Sequence, residues 1–177
     1  MLVLPLQVAG ARMRAFRRGD EDDLVIAADD REIWRNVRDA FPYPYTREDA
    51  ERWIAYNEAL APVLNFAIEL DDRVVGGVGL VLGQDVHRHA AEVGYWLARA
   101  VWNRGLATAS VRALVRYAFD ELQLVRLHAG VFVWNPASAR VLEKSGFARE
   151  GLYKRWAYKD GEYVDAWAYG CVRDEPG

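Results

Sequence analysis

The sequence predicts a single α+β domain over residues 1–177, built on a mixed, mostly antiparallel sheet of about seven strands flanked by helices. Two hairpin signals, at Asp71-Asp72 and at Asp160-Gly161, predict antiparallel pairs. Between them, a strand, a periodic helix and another strand succeed one another from Ala90 to Val133, and such a unit brings its two strands together in parallel. A parallel pair within an otherwise antiparallel sheet favours α+β over a doubly wound fold.

The N-terminal elements are a strand and a helix. Arg12–Arg17 has the pattern of a first strand. Asp20 is a favourable N-cap, and the helix it begins is expected to continue to about Ala40 with a break near Asp29-Asp30. The prolines of Phe41-Pro42-Tyr43-Pro44-Tyr45 force extended backbone, so no helix continues through them.

Thr46 begins the next helix, which is expected to end near Ala59. Two strands follow, Asn65–Leu70 and Arg73–Leu82. The second strand contains three glycines, which predict a bulge or a close approach of another backbone: Gly76, Gly77 and Gly79. Ala90–Leu97 is the next strand.

The C-terminal half begins with a one-faced helix, whose apolar positions recur at helical spacing: Val111, Leu114, Val115, Ala118, Phe119 and Leu122. Arg126–Val133 is expected to be a largely buried strand. Asn135-Pro136 starts a short helix that Gly146 ends. A closing hairpin pairs Tyr153–Tyr158 with Tyr163–Val172.

Composition narrows the class of protein. The chain of 177 residues is 52% hydrophobic, enough for one core, and its net charge of −3 argues against a mainly electrostatic partner such as nucleic acid or an anionic membrane. Its one cysteine, Cys171, cannot form an internal disulfide and suggests a reducing, cytoplasmic location. The apolar start, Met1–Ala11, is too short and uncharged for the layout of a signal peptide.

The segment Glu92–Thr108 carries the strongest functional signal. A strand leads through a short Arg/Asn/Gly loop into the N-terminus of the periodic helix. The first backbone N–H groups of a helix lack partners inside it and lie at the positive end of its dipole. Beside basic side chains they form an anion site, which predicts a phosphorylated ligand.

Other ligand motifs are absent from the sequence. It contains no G-x-G-x-x-G dinucleotide fingerprint and no P-loop. His87 and His89 lie close together but lack further ligands at metal spacing, so we expect a solvated loop pair and no metal site. His128 falls in the buried strand, where a hydrogen-bonded core histidine is the expected role.

Four motifs, in order and at family spacing from about Arg12 to Val172, resemble the GNAT acyltransferases, and in particular their Rim-type branch of ribosomal-protein N-acetyltransferases. Trp102-Asn103-Arg104-Gly105-Leu106-Ala107-Thr108 resembles the pyrophosphate loop for acetyl-CoA. Asn135-Pro136-Ala137-Ser138, with the segment Val141–Phe147, resembles the second family block. Phe41–Ala50 and Glu92–Leu97 resemble two segments of the Rim-type branch.

The resemblance implies a GNAT fold, with one parallel strand pair splayed for an acyl-CoA, and attack of a neutral amine on the thioester of acetyl-CoA. Glu92 lies on the strand that resembles the one lining the acetyl group, so it is the candidate general base, acting through a water. Many members carry a tyrosine acid where this chain has Leu142, and Ser138 is the candidate replacement. A free backbone N–H near Leu97 would suit the oxyanion.

The resemblance also assigns binding residues. The expected contacts to acetyl-CoA are Trp96, Leu97, Arg104, Gly105, Leu106, Ala107, Thr108, Asn135 and Lys144. The expected walls of the amine site are Phe41, Tyr43, Tyr45 and Trp53. Asn103 stands where glycine is frequent in the family, and asparagine tolerates the left-handed backbone that this position requires.

Several alternatives stay open at this stage. The acceptor is either a protein or peptide N-terminus or a small-molecule amine. The missing tyrosine at Leu142 allows a CoA-binding regulatory module without turnover. Another acyl-CoA such as succinyl-CoA is a further alternative, because Arg99 or Arg155 could pair with its distal carboxylate. Exposed aromatic residues in the closing hairpin would suit a homodimer: Trp156, Tyr158, Tyr163 and Trp167.

Overall fold

A computed structural model describes residues 2–173 and contains one mixed sheet of eight strands in the order β1-β2-β3-β4-β5-β6-β8-β7. The strands are β1 Val3–Pro5, β2 Ala11–Ala15, β3 Asn65–Leu70, β4 Arg73–Leu82, β5 Ala90–Leu97, β6 Arg126–Phe132, β7 Ala148–Lys159 and β8 Glu162–Val172. The α-helices are α1 Glu21–Ala28, α2 Arg31–Trp34, α3 Arg47–Glu58, α4 Leu106–Asp120 and α5 Pro136–Lys144. Short 3-10 turns cover Asp85–His87 and Arg99–Val101.

The α+β prediction is confirmed, because β5 and β6 pair in parallel and the other strand pairs of known register are antiparallel. The sheet has one strand more than the expected seven. Val3–Pro5 adds to the edge as β1, antiparallel to β2, with Leu4 opposite Met13.

The fold divides into two compact units. The first comprises Met1–Gly79 and Tyr95–Ser110, and the second comprises Leu80–Gly94 and Val111–Gly177. The prediction of a single domain is not tested by this division and stays a prediction.

The helices of the first unit differ from the sequence prediction at one place. The break expected near Asp29-Asp30 is confirmed, since α1 ends at Ala28 and a separate helix covers Arg31–Trp34. The expected continuation to Ala40 is wrong, because this second helix ends at Trp34. Asp30 has extended backbone and its carboxylate accepts the Glu32 N–H, so it acts as a new N-cap. The segment that follows contains turns up to the prolines, where Asp29 Oδ1 accepts the Tyr45 N–H at 3.0 Å.

The core of the first unit packs α1 and α3 against β3 and β4. Its buried side chains include Leu24 of α1, Ile54 of α3 and Ala67 of β3. A capping box begins α3: Thr46 Oγ1 accepts the Asp49 N–H, and the Asp49 carboxylate accepts the Thr46 N–H.

In the second unit, α5 lies on the sheet face that carries Leu127, Ala129 and Val131. Tyr169, which pairs with Ala129 across the sheet, donates its hydroxyl to Glu143 Oε1 of α5 at 2.9 Å. Side chains alternate between the two faces of a strand. The residues between these three, His128 and Gly130, therefore belong to the opposite face.

Two strands contain bulges. Ile68 pairs with Gly76 and Glu69 pairs with Val74, so Val75 is an extra residue in β4. In β7, Glu150 is extra between paired Arg149 and Gly151. A longer bulge in β7 contains Lys154, Arg155 and Trp156. Among the described residues, none of the helices has the length and apolar character that crossing a membrane requires.

Candidate active site

The loop after β5 has the conformation that its sequence predicts. Asn103 has a φ of +61° and Gly105 a φ of +75°, and both values lie in the left-handed region. The loop leads directly into α4, where Ala109 donates its N–H to Gly105 O at 3.0 Å. The N–H groups of residues 106–108 precede this first helical hydrogen bond, so they point out of the helix end as donors for an anion.

Trp102 fixes this loop to the end of β5. Its indole N–H donates to Leu97 O at 2.8 Å. The next N–H in the chain, that of Ala98, donates to Val75 O of β4 at 2.8 Å. Because Val75 is the bulged residue of β4, the bulge supplies the carbonyl that holds the strand end.

Glycines in β4 allow Trp96 to lie close to that strand. A Cβ placed on Gly77 would lie 2.9 Å from Trp96 Nε1, and one placed on Gly76 would lie 2.6 Å from Leu97 Cδ2. Such distances leave no room for a side chain. The sequence prediction of a bulge or a close approach at these glycines is therefore confirmed, and both features are present.

One aromatic side chain packs on Trp96, and a second packs against the first. Phe41 packs edge-on against Trp96 with ring centroids 5.2 Å apart, and it also contacts Tyr45 at 5.2 Å. Tyr45 is only 6% exposed, and burial, followed by the negative charge of Asp49, raises the pKa of its hydroxyl to about 12. Tyr45 is thus a neutral packing residue behind Phe41.

The other two expected wall residues lie in different surroundings. Tyr43 is 45% exposed and its ring lies 6.0 Å from that of Trp34. Trp53 is half-buried and packs edge-on against Phe16 at 5.7 Å. Phe41 packs directly on Trp96 of the strand that resembles the acetyl-lining strand.

Glu92 lies half-buried in β5, opposite His128 of β6. The parallel pairing covers Ala90–Glu92 against Arg126–His128, and Glu92 with His128 is its last pair. The sequence prediction of a core histidine is wrong. Leu127 and Ala129 are buried, but His128 alternates with them and is half-buried on the opposite face.

Asn135 caps α5, and its Oδ1 accepts the Ser138 N–H at 3.2 Å. Its side-chain amide nitrogen is a different atom from the capping oxygen and can donate to a ligand. Leu142 is fully buried and apolar, so it supplies no acid. Lys144 is exposed in the last turn, and its carbonyl accepts from the Arg112 guanidinium.

The two arginines considered for a distal carboxylate have partners in the protein. Arg99 Nε lies 3.2 Å from Asp30 Oδ2. The backbone N–H of Arg155 donates to Asp165 Oδ1 at 2.8 Å, and its guanidinium lies 6.0 Å from the ring centroid of Tyr163. His87 and His89 are exposed, and within residues 2–173 no three His, Cys, Asp or Glu side chains are grouped to hold a metal.

Comparison with known proteins identifies a family whose matched region includes the loop Trp102–Gly105. Residues 11–148 match the family model described as an acetyltransferase (GNAT) domain. A 95-residue segment is 41% identical to the probable N-acetyltransferase YjcK of Bacillus subtilis (strain 168). That segment spans 54% of this chain and 52% of YjcK, so the match covers about half the length of this relative.

Two solved structures have a similar fold over nearly the whole chain. RimL, a ribosomal L7/L12 alpha-N-protein acetyltransferase in complex with coenzyme A, superposes with a TM-score of 0.85 at 21% identity, covering 97% of this chain and 98% of RimL. Mycobacterium smegmatis RimJ, in complex with a CoA-disulfide, has a TM-score of 0.83 at 26% identity, covering 96% of this chain and 86% of RimJ.

Proposed function

Because the chain belongs to the GNAT acetyltransferase family, we propose that it transfers the acetyl group of acetyl-CoA to a primary amine by direct attack of the amine on the thioester. The observation that carries the proposal is the loop Trp102–Gly105. Its two left-handed residues turn the chain into α4 and aim the first N–H groups of that helix outward. This arrangement suits a pyrophosphate.

The pyrophosphate would accept hydrogen bonds from the backbone of Gly105, Leu106, Ala107 and Thr108. Arg104 is exposed in the same loop and adds a positive charge that these phosphates would attract. Trp96 and Leu97 form the adjoining strand end, held in place by Trp102 and Val75. Asn135 would donate its side-chain amide to the pantetheine arm, and Lys144 would contact the adenosine phosphates.

Acetyl-CoA supplies the activated acetyl group, and side chains of the protein accept and donate the protons that the reaction requires. An alkyl amine is mostly protonated at neutral pH, so a group must accept a proton before the nitrogen can attack. We assign this step to Glu92, acting through a water. Ser138 is assigned to the leaving thiolate, since Leu142 has no proton to donate.

For the acceptor, the likeness to RimL, an alpha-N-protein acetyltransferase, supports a peptide or protein N-terminus. Phe41 would then contact its first side chain, with Tyr45 packed behind Phe41. Tyr43 and Trp53 stay proposed as further walls of the amine site. A free small-molecule amine is the alternative. A cleft built for peptide backbone rejects free amines, because its polar groups would be left unpaired.

The first test is a melting curve with and without saturating acetyl-CoA, with NAD as the negative control. At a ligand concentration about 100 times the dissociation constant, binding adds roughly 2.7 kcal/mol. For a chain of this size the expected rise in Tm is about 5–10 °C. Arg104→Gln should reduce the rise, whereas Arg116→Gln, on an exposed position of α4, should leave it unchanged.

The second test measures release of free thiol with a short peptide and with the corresponding free amino acid. Turnover of the peptide alone supports an N-terminal acetyltransferase, and turnover of both supports a small-molecule enzyme. Binding of acetyl-CoA without turnover of any amine supports the regulatory module. Faster turnover with succinyl-CoA supports the other acyl donor. No rise in Tm with acetyl-CoA contradicts the proposal.

A further inference from the structure

Three residues form a row across the sheet of the second unit. Glu92 of β5 pairs with His128 of β6, and His128 pairs with Gly170 of β8. Residues paired across neighbouring strands point to the same face and lie about 5 Å apart. Glu92 and His128 are therefore neighbouring side chains on the face opposite α5. The third residue of the row, Gly170, has no side chain.

Glu150 of β7 fills the space above that glycine. A Cβ on Gly170 would lie only 2.5 Å from Glu150 Cδ and 2.7 Å from its Oε2. Because Glu150 is the bulged residue of β7, it turns across β8 and forms a two-pronged ion pair with Arg126, whose Nη1 lies 3.0 Å from Oε1. The carboxylate thus lies next to His128.

The electrostatics of this row agree with its geometry. The pKa of Glu150 is lowered first by the hydrogen bond from Arg126, and further by the attraction of Arg126 and of His128. The groups that face His128 are therefore Glu92 from β5, Arg126 from its own strand, and Glu150 from β7 across β8. His128 therefore lies between two carboxylate-bearing residues of the row.

Acetyl transfer produces a proton that must leave the site. An alkylammonium ion gives up two protons when it becomes an amide, because the product nitrogen retains one hydrogen of its three. As the C–N bond forms and the C–S bond breaks, one proton ends on the thiolate of coenzyme A. The second proton, if Glu92 accepts it, must pass on before the next turnover.

We propose that His128 takes this proton from Glu92 and releases it to bulk water, with Glu150 and Arg126 holding the imidazole in position. The proposal rests on the proposed function and extends it by a second group. An imidazole is suited to the step because its proton exchanges near neutral pH. Glu150 is 41% exposed, so the row ends in solvent.

The test compares turnover of wild-type protein, His128→Gln and Glu92→Gln between about pH 6 and pH 8. His128→Gln should lower kcat about tenfold at pH 7 and remove the imidazole-dependent rise from the pH profile. The KM for acetyl-CoA should stay unchanged, and added imidazole should restore part of the rate of His128→Ala. His87→Gln and His89→Gln, exposed on a turn, are the matched controls and should behave as wild type.

A second readout does not depend on turnover. The ring protons of His128 are followed by NMR in the wild type and in Glu92→Gln under identical conditions. If the two side chains are neighbours, loss of the Glu92 carboxylate should change the chemical shifts of the His128 ring and leave those of His89 unchanged. Equal His128 shifts would overturn the pairing even for a protein that acetylates no amine.

The outcomes separate the two proposals. Wild-type kcat and pH profile in His128→Gln, together with a slow Glu92→Gln, overturn the role of His128 and leave the proposed function standing. Full activity of Glu92→Gln overturns both the base and the relay. Thiol release from no amine at all overturns the proposed function, and the NMR comparison then decides whether Glu92 and His128 are neighbours.

Discussion

At Gly76 the candidate site leaves no room for a side chain. The Gly76 α-carbon faces the end of β5, and an added Cβ would meet Leu97 Cδ2 at 2.6 Å as well as the Trp96 carbonyl. Trp96 and Leu97 cannot both retreat, because Trp102 and Val75 hold the residues around them. The whole strand end would have to shift.

Gly76→Ala is therefore expected to lower the free energy of unfolding by about 1–3 kcal/mol and to weaken binding of acetyl-CoA. Denaturant unfolding measures the first effect, and the ligand-induced rise in Tm measures the second. Gly151→Ala is the control, because an added Cβ in that strand meets no atom within 4 Å. Equal stability of the two variants would show that the strand end moves freely.

Glu92 is the residue on which the assigned chemistry depends most directly. Glu92→Gln keeps the shape and removes the charge, so it is expected to cut kcat by roughly 100-fold or more and leave the affinity for acetyl-CoA unchanged. Steady-state thiol release and a thermal shift measure these two quantities. Glu121→Gln, exposed beyond the end of α4, is the control. Unchanged turnover in Glu92→Gln would remove it from the base role.

At the scale of elements, the sequence predicted those strands best whose ends carry strong turn signals. The bounds of β3, β4 and β5 agree with the prediction, since Asp71 and Asp72 form the turn between β3 and β4 with positive φ. The start of α5 at Pro136 also agrees. The break near Asp29-Asp30 was predicted correctly, because Asp30 caps a new helix. The expected continuation to Ala40 was wrong: the second helix ends at Trp34, and tertiary contacts override local helix propensity there.

The candidate site was predictable only in part, for a similar reason. The loop Trp102–Gly105 is a local motif, and its left-handed Asn103 follows from residue chemistry. The surroundings of His128 were not predictable. They depend on its register with Glu92 and Gly170 and on a bulge at Glu150, residues that lie far apart in the chain. Gly170 in β8 marks the place where Glu150 can lie beside His128, but this becomes visible only once the strand register is known.

The stability that helix α3 gains from its N-terminus is expected to depend on pH. Its capping box joins Thr46 and Asp49, and hydrogen bonds from Thr46 hold the pKa of Asp49 below its ordinary value. A carboxyl with a lowered pKa in the folded state stabilises the fold above its unfolded pKa. That stabilisation disappears as the pH falls through the folded value.

Asp49→Ala is accordingly expected to cost about 1 kcal/mol at neutral pH. The difference from wild type should shrink as the pH falls below about 4. Urea unfolding at several pH values measures it. Glu48→Ala, in the same first turn, is the control and should cost less, because Glu48 takes no part in the box. A difference independent of pH would mean that the charge of Asp49 does not contribute.

At the scale of the whole molecule, stability depends on a buried set of charges that joins three elements. Arg14 of β2 is 3% exposed and donates to both oxygens of Asp20, each at 2.8 Å, at the start of α1. Its Nε donates to Glu69 of β3 at 2.5 Å. Burial alone would lower the pKa of Arg14, but the hydrogen bonds and charges of Asp20 and Glu69 together raise it.

Arg14→Met is expected to cost about 3–5 kcal/mol, because it leaves the buried Asp20 carboxylate without its guanidinium and leaves buried Glu69 with only the half-exposed Arg12. That is a large share of the 5–15 kcal/mol by which folded proteins are typically stable. Arg12→Met is the matched control: Arg12 also pairs with Glu69 but is 45% exposed, so solvent screens it and the cost should stay below about 1 kcal/mol. Denaturant unfolding of both variants gives the comparison. Equal costs would mean that water reaches Asp20 and Glu69 once the Arg14 guanidinium is gone. A large cost for Arg14→Met alone would show that the contact between β2, α1 and β3 depends on this one buried cation.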